Sequence, residues 1–170
     1  LVADLDSLPM PRVGAPVGNS FADWMTYAEI TVVGWSFGCA VAAQVMSRLQ
    51  WSLRDALAIN GTVQPQDDEV GIPARWLDAT ADRLHRGGWL KFVRRMCQDS
   101  EACQDFAEHA PERDLVSVVN ELTVLRQVVT PNACGFRRAL IGTKDRIILP
   151  ENQRRCWERH GVPIRMIRAP

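Results

Sequence analysis

Apolar positions along the chain follow two different spacings. Short runs rich in β-branched and other apolar residues at 30–33, 57–59, 136–141 and 162–167 predict buried strands. Between residues 72 and 129 the apolar positions recur instead every three or four residues, which predicts about four helices and no strand. Strands that alternate with helices are typical of a parallel α/β sheet. The pattern therefore indicates an α/β domain interrupted by a helical insertion.

The predicted insertion sets the expected domain organisation. We expect an α/β core over residues 1–71, a helical lid over residues 72–130, and the rest of the core over residues 131–170. A lid of this kind excludes water and shapes a pocket. Helical periodicity suits an inert packing layer equally well, so that alternative stays open at this point.

Three apolar faces define the helices of the insertion. They are Trp89, Phe92, Val93, Met96 and Cys97; Ala102, Cys103, Phe106 and Ala107; and Leu115, Val118, Val119, Leu122 and Leu125. Gly87-Gly88, Asp99-Ser100 and Ala110-Pro111 separate these faces and are typical of helix ends.

The two ends of the sequence differ from those of a complete α/β domain. The chain starts without Met, and residues 1–5 predict a strand end, followed by a Pro/Gly-rich loop and a helix over residues 21–28. The last predicted strand is followed directly by Ala169-Pro170. We therefore expect the sequence to be truncated at both ends.

Composition excludes several functional classes. The 170 residues are 46% apolar and 24% charged, and the 20 basic residues balance the 20 acidic ones, so no global field favours nucleic acid or an anionic membrane. No run of 18 apolar residues and no signal peptide is present. The five cysteines lack zinc-site spacing, which favours free thiols in a reducing cytoplasm and predicts no metal.

The clearest chemical motif lies where the first strong strand ends. Gly34, Ser36 and Gly38 form G-x-S-x-G between a β-branched run and a helical sequence, the arrangement of a nucleophile elbow. We expect both glycines to let the strand and the helix pass closely. Ser36 is the candidate nucleophile, the backbone N–H of Phe37 is a candidate oxyanion donor, and Trp35 is a candidate substrate-binding residue. An ordinary buried Gly-rich turn is the alternative.

A serine nucleophile needs a general base oriented by a carboxylate, and in enzymes with this elbow the chain order is Ser, Asp or Glu, then His. Asp145 follows the strand at residues 136–141 and is the candidate acid, with a loop-capping Asp as the alternative. The three histidines stand elsewhere: His85 and His109 in the insertion, and His160 before the last strand. The base is therefore expected just after Pro170.

Several stretches resemble the BioG-type pimeloyl-acyl-carrier-protein (pimeloyl-ACP) methyl ester esterases of biotin synthesis, which are α/β-hydrolases. The resemblance covers almost the whole chain and lies in residues 34–38, 58–62, 67–73, 91–97 and 141–148. It implies an α/β-hydrolase fold with a helical lid, no cofactor, and hydrolysis of the methyl ester on a carrier-bound pimeloyl chain through an acyl-enzyme. By resemblance Ser36 is the nucleophile and Asp145 the acid.

The expected partner is an acyl carrier protein, which is acidic. Residues 72–95 carry six basic and two acidic residues, and Lys91, Arg94 and Arg95 lie opposite the apolar face of their predicted helix, so we expect them, and with them Arg75, to receive the carrier. A solvated face paired with the acidic residues that follow is the alternative. Two other functions stay open: a general carboxylesterase for small free esters, and a non-catalytic carrier-binding protein.

Overall fold

The computed structural model of the chain describes residues 27–48, 52–97, 99–110, 114–128 and 133–169. The strand end predicted at residues 1–5 lies outside these ranges, as do residues 21–26 of the helix predicted at 21–28. Tyr27 and Ala28 are not helical.

Four parallel strands form a sheet in the part of the chain that the structure describes. Their order in the sheet is their order in the sequence: β1 (Ile30–Trp35), β2 (Leu53–Ile59), β3 (Arg138–Gly142) and β4 (Ile164–Ile167). Helix α1 (Gly38–Arg48) follows β1, and helix α6 (Pro150–Arg159) connects β3 to β4. The predicted α/β fold with a parallel sheet is confirmed.

Both of these helices cover the same face of the sheet. Register places Gly34, Ala58, Ala139 and Ile164 side by side across the four strands, so their side chains share one face. Alanine and glycine at these positions let the helices approach the strands closely. The buried side chains on this face, which we call the sheet cluster, are Cys39, Ala43, Met46, Ala56, Ala58, Val63, Val70, Cys134, Phe136, Ala139, Ile141, Cys156, Trp157 and Val162.

Between β2 and β3 the described residues form four helices, as the spacing of the apolar residues predicts. This helical segment comprises α2 (Ala74–His85), α3 (Trp89–Met96), α4 (Ser100–His109) and α5 (Leu115–Leu125). Asp99 caps α4 through Ala102 N–H at 2.9 Å, and Asp114 caps α5 through Ser117 N–H at 2.8 Å. None of the four helices, nor any other helix of the described residues, is long and apolar enough to cross a membrane.

A second group of buried side chains holds the helical segment together and joins it to the sheet. This helix cluster consists of Ile72, Leu77, Leu84, Val119, Leu122 and Ile148, with Phe37, Trp76, Ala81, Trp89, Phe92, Val118 and Ile147 packed against it. Phe37, Ile147 and Ile148 come from the ends of β1 and β3, so the helical segment packs directly on the loops next to Ser36 and Asp145. The apolar face predicted for α4 is wrong in part, because Ala102 and Ala107 are exposed and no residue of α4 is buried.

Candidate active site

Ser36 stands on the turn between β1 and α1 in the left-handed backbone region. Its φ is 53°, which costs energy for any residue other than glycine. Ser36 N–H donates to Ile59 O at 2.9 Å, and Cys39 N–H donates to Ser36 O at 3.1 Å, so backbone bonds hold the turn on both sides. Among the described residues the Ser36 hydroxyl has no hydrogen-bond partner. This is the geometry of a nucleophile elbow.

The glycines around this turn do not all serve the same purpose. A Cβ on Gly34 would lie 2.9 Å from Cys39 Cα, so Gly34 is needed where strand and helix pass, as predicted. The same expectation is wrong for Gly38, where an added Cβ meets nothing within 4 Å. Sequence reasoning missed Gly61, whose Cβ would lie 2.3 Å from Ser36 O and 2.5 Å from Cys39 Sγ. Position 61, in the loop after β2, therefore requires glycine because this loop packs directly on the turn that carries Ser36.

Phe37 contributes both its backbone and its side chain. Its N–H makes no hydrogen bond to another described residue, as is usual for the first N–H groups of a helix, and so remains able to donate to a bound oxygen. Its ring packs in the helix cluster. The residue after the serine therefore links the elbow to the helical segment.

Asp145 lies in the loop after β3, at the same end of the sheet as the elbow. Its Oδ1 accepts hydrogen bonds from Ile147 N–H at 2.8 Å and Ile148 N–H at 3.0 Å. Its Oδ2 accepts from Gln153 Nε2 at 2.8 Å. Three donors thus fix the carboxylate from the loop and from α6.

Partial burial raises the pKa of Asp145 above its ordinary value, and the three hydrogen bonds act in the opposite direction. A carboxylate that is desolvated but held as an acceptor is stabilised further by a cation placed beside it. This environment suits a residue that orients an imidazole and stabilises its charged form.

Gln153 is the second residue that the sequence analysis missed. It is fully buried, and its Nε2 also donates to Ile148 O at 2.9 Å, so one amide group joins the carboxylate to its own loop. The available signal was the face of α6: Asn152 and Gln153 share it with Cys156 and Trp157, and polar side chains on a buried face need partners. Asn152 also meets this need, since it donates to Gly71 O at 2.8 Å.

The strand ends bring Ser36 and Asp145 to one edge of the sheet. Trp35 pairs with Ile59 and Ile59 with Leu140, so β1 and β2 end at the same level and β3 continues for two more residues to Gly142. Neighbouring strands lie about 4.8 Å apart, which separates β1 from β3 by about 10 Å. Asn60 fills the middle position with φ of 44°, and its Oδ1 accepts from Gly142 N–H at 2.7 Å, which ties β2 to the strand before Asp145.

The histidines lie away from this edge where the structure describes them. His109 Nδ1 contacts Asp105 O at 2.8 Å on the exposed surface of α4. His160 ends α6, and partial burial lowers the pKa of its imidazole. Neither makes a hydrogen bond to Ser36, and the side chain of His85 lies outside the described part of the structure. A base after Pro170 therefore stays a prediction.

An apolar crevice opens between the helical segment and the two loops that carry Ser36 and Asp145. Its lining includes Phe37 from the elbow and Ile147 from the Asp145 loop, and the remaining residues are Ile72, Trp76, Leu77, Thr80, Phe92, Arg95 and Leu122. Arg95 is only half-exposed, unlike the neighbouring Lys91 and Arg94. Its Nε donates to Arg146 O at 2.9 Å, and its guanidinium lies 5.6 Å from the centre of the Trp76 ring. Arg95 therefore lies along the edge of the crevice, against the loop that carries Asp145.

The other predicted binding residues are exposed. Lys91 and Arg94 on α3, and Arg75 on α2, face solvent and make no ion pair with another described residue. Trp35 is 59% exposed on the sheet face opposite α1, next to Val33. Within the described ranges no three His, Cys, Asp or Glu side chains come together as metal ligands.

Known proteins resemble this chain in sequence and in structure. It is 38% identical over 138 residues to malonyl-[acyl-carrier protein] O-methyltransferase of Bacteroides fragilis. The aligned residues make up 79% of this chain and 28% of that protein. The chain thus spans little more than a quarter of the length of this relative. The crystal structure of BioG from Haemophilus influenzae superposes with a TM-score of 0.76 and 28% identity over 91% of this chain and 71% of that one.

Similarity of fold reaches beyond these proteins. A hydrolase from Oleispira antarctica shares the fold with a TM-score of 0.62 at 15% identity, over 85% of this chain and 59% of that one. The sequence model of the family Pimeloyl-ACP methyl esterase BioG matches residues 18–169. This match spans the elbow, the helical segment and the Asp145 loop. The chain belongs to the BioG family of pimeloyl-ACP methyl esterases.

Proposed function

We propose that this chain carries the nucleophile, the acid and the lid of a serine carboxylesterase that hydrolyses the methyl ester of pimeloyl-ACP. The observation that carries the proposal is the Ser36 turn: a serine in the left-handed region, at the same sheet edge as Asp145, whose hydroxyl has no partner among the described residues. Membership of the family of pimeloyl-ACP methyl esterases supports the substrate.

The proposed reaction has two steps. Ser36 Oγ attacks the ester carbonyl while a histidine takes its proton, and methoxide leaves with that proton as methanol. Water then attacks the acyl-enzyme with the same base, which regenerates Ser36 and releases the free carboxylate on its carrier. Phe37 N–H donates to the oxyanion in both steps, a contribution typically worth about 100- to 1000-fold in turnover.

The separation of the strands supports a histidine between the two residues. An imidazole that bridges a hydroxyl and a carboxylate needs two hydrogen bonds of about 2.8 Å plus the width of the ring. The distance of about 10 Å between β1 and β3 leaves room for it. We place the base after Pro170, and on this proposal the 170-residue chain by itself has little or no activity.

The helical segment is the proposed lid. The apolar crevice beneath it suits the methylene chain of an acyl group, because its lining reaches Phe37 and Ile147 next to the two catalytic residues. Lys91 and Arg94 are exposed on the outside of the same segment, make no ion pair within the described ranges, and are the proposed contacts for the acidic carrier. Arg75 is available on the neighbouring helix. Trp35 is proposed as a further contact to substrate or carrier.

Covalent labelling tests the nucleophile. A serine-directed fluorophosphonate is added to the complete gene product and to its Ser36→Ala variant, and the labelled peptide is identified by mass spectrometry. We expect label on Ser36 and loss of ester turnover by at least about 1000-fold in the variant. Ser47→Ala, which alters an exposed serine on α1, is the matched control and should keep both the label on Ser36 and the ester turnover. Label on another residue would overturn the assignment.

A substrate comparison tests the carrier. Methanol release is measured with the methyl ester of pimeloyl-ACP and with a small free methyl ester. We expect strong preference for the carrier-linked ester. Equal activity on both would favour a general carboxylesterase, and carrier binding without methanol release would favour the non-catalytic alternative.

A further inference from the structure

We propose that Arg95 is a positioning residue that couples the seating of the helical segment to the carboxylate of Asp145. The inference rests on the proposed function, in which Asp145 is the acid of the triad. It assigns Arg95 a task inside the site in place of the carrier contact predicted from the sequence.

The side chain of Arg95 lies between the helical segment and the loop that carries Asp145. Arg95 is on α3, yet its Nε donates to the backbone carbonyl of Arg146, in the loop that follows β3. The ring of Trp76 on α2 supports the guanidinium from one side at 5.6 Å. Two helices of the helical segment thus aim one cation at the catalytic loop.

The peptide bond between Arg146 and Ile147 connects the Arg95 contact to the carboxylate of Asp145. The carbonyl of Arg146 and the N–H of Ile147 belong to the same peptide group, and that N–H donates to Asp145 Oδ1 at 2.8 Å. The hydrogen bonds therefore run in series from the guanidinium through the peptide to the carboxylate. A donor on the carbonyl polarises the peptide and strengthens the bond that its N–H makes.

The carboxylate of Asp145 is held from two sides of the molecule, one through Gln153 and one through the Ile147 amide. Gln153 on α6 holds Oδ2 at 2.8 Å and belongs to the sheet side of the molecule. The Arg95 bond belongs to the helical segment and exists as long as that segment is seated on the core. Displacement of the segment would leave the Gln153 contact in place and weaken the Ile147 contact. Arg95 thus makes the orientation of the acid depend on a closed lid.

Backbone amide exchange followed by NMR tests this without any substrate. The expected result for Arg95→Met is exchange of the Ile147 amide that is about 3- to 10-fold faster relative to the amides of Ala139 and Ile141 in β3, with an upfield shift of its proton. Arg95→Lys keeps a cationic donor and restores part of the protection. Arg94→Met alters the neighbouring exposed cation and leaves the Ile147 amide unchanged.

The outcomes separate a positioning role from a purely structural one. If Arg95→Met speeds exchange along α3 and β3 equally, the residue only stabilises the fold and the proposal is overturned. The proposal is also overturned if the Ile147 amide exchanges at the same rate in Arg95→Met as in Arg94→Met. Because the readout needs no turnover, absence of esterase activity in the gene product would reject the proposed function and leave this measurement decisive for Arg95.

Discussion

The sheet cluster and the helix cluster are built from different residues. On the strands the sheet cluster consists of three alanines and Ile141, with Ala56 and Ala58 at 0% and 1% exposure, and its largest buried side chain, Trp157, lies on α6. The helix cluster relies on larger and partly exposed side chains such as Trp76 and Phe92, and its neighbour α4 buries no residue. We call the sheet with α1, α6 and the loops of Ser36 and Asp145 the floor, and the helical segment α2 to α5 the roof. The floor is close-packed, and the roof is more loosely attached.

This contrast matches the distribution of the proposed tasks. Ser36 and Asp145 stand on the floor, where backbone hydrogen bonds fix both. The crevice lining and the exposed cations come mostly from the roof. Pre-organised catalytic groups gain from rigidity, whereas a lid has to move to admit substrate. The predictions below test whether the two regions differ in stability as this arrangement requires.

The largest expected effect comes from an aromatic residue in each region. Trp157→Ala should lower the free energy of unfolding by about 3–5 kcal/mol, because it empties the sheet cluster. It also removes the hydrogen bond from Nε1 to Gly61 O at 3.0 Å. Phe106→Ala on α4 should cost less than about 1 kcal/mol, since its ring is half-exposed. Urea denaturation followed by circular dichroism measures both, and equal losses would contradict the contrast.

The next effect compares the two glycines of the elbow motif. Gly34→Ala should cost about 1–3 kcal/mol, because the new Cβ would press on the backbone of α1. Gly38→Ala has open space at the start of the same helix, so we expect no loss and up to about 1 kcal/mol of gain. Thermal unfolding of the two single variants is sufficient. A destabilising Gly38→Ala would show that the second glycine has a steric role after all.

These glycines also show what the sequence could predict. The elbow, the four strands and the four helices of the insertion depend on neighbours close in sequence: a β-branched run, a capping Asp, an apolar face. Such patterns carried the fold. Gly34 was predicted correctly because the residue that it contacts, Cys39, directly follows the same motif.

The features that escaped prediction depend on contacts between distant elements. Glycine is required at position 61 because of Ser36 O, which the turn after β1 supplies. Gln153 acquires its role from the loop after β3. The position of Arg95 opposite an apolar face predicted a side chain in solvent, yet its guanidinium bonds to the backbone of Arg146 in a core loop distant in sequence. Periodicity assigns a face and does not state what packs beside that face.

A pH series sharpens the description of the floor. The pKa of Asp145 is raised above its ordinary value of 3.8, so the folded state prefers the protonated carboxyl more than the unfolded state does. That contribution to stability is present below the ordinary value and is lost as pH rises through the folded pKa. Relative to Asp145→Asn, the unaltered chain should therefore lose stability between pH 4 and neutrality. Urea denaturation across this range measures the difference, and a change of opposite sign would show that the hydrogen bonds outweigh burial.

The smallest expected effect concerns the outer surface of the roof. Lys91 and Arg94 are exposed and unpaired within the described residues, so they act on an acidic carrier through long-range attraction, which salt screens. Reversal of both to Glu should slow association with an acyl carrier protein by about 2- to 10-fold at low ionic strength and have little effect at high salt. Stopped-flow fluorescence with a labelled carrier measures the rate. Arg165→Glu, an exposed cation on β4, is the matched control and should behave as the unaltered chain does. Turnover of a small free ester has to remain intact in the double variant, because docking and chemistry use different faces of α3; parallel loss on both substrates would mean that these cations hold the helical segment in place.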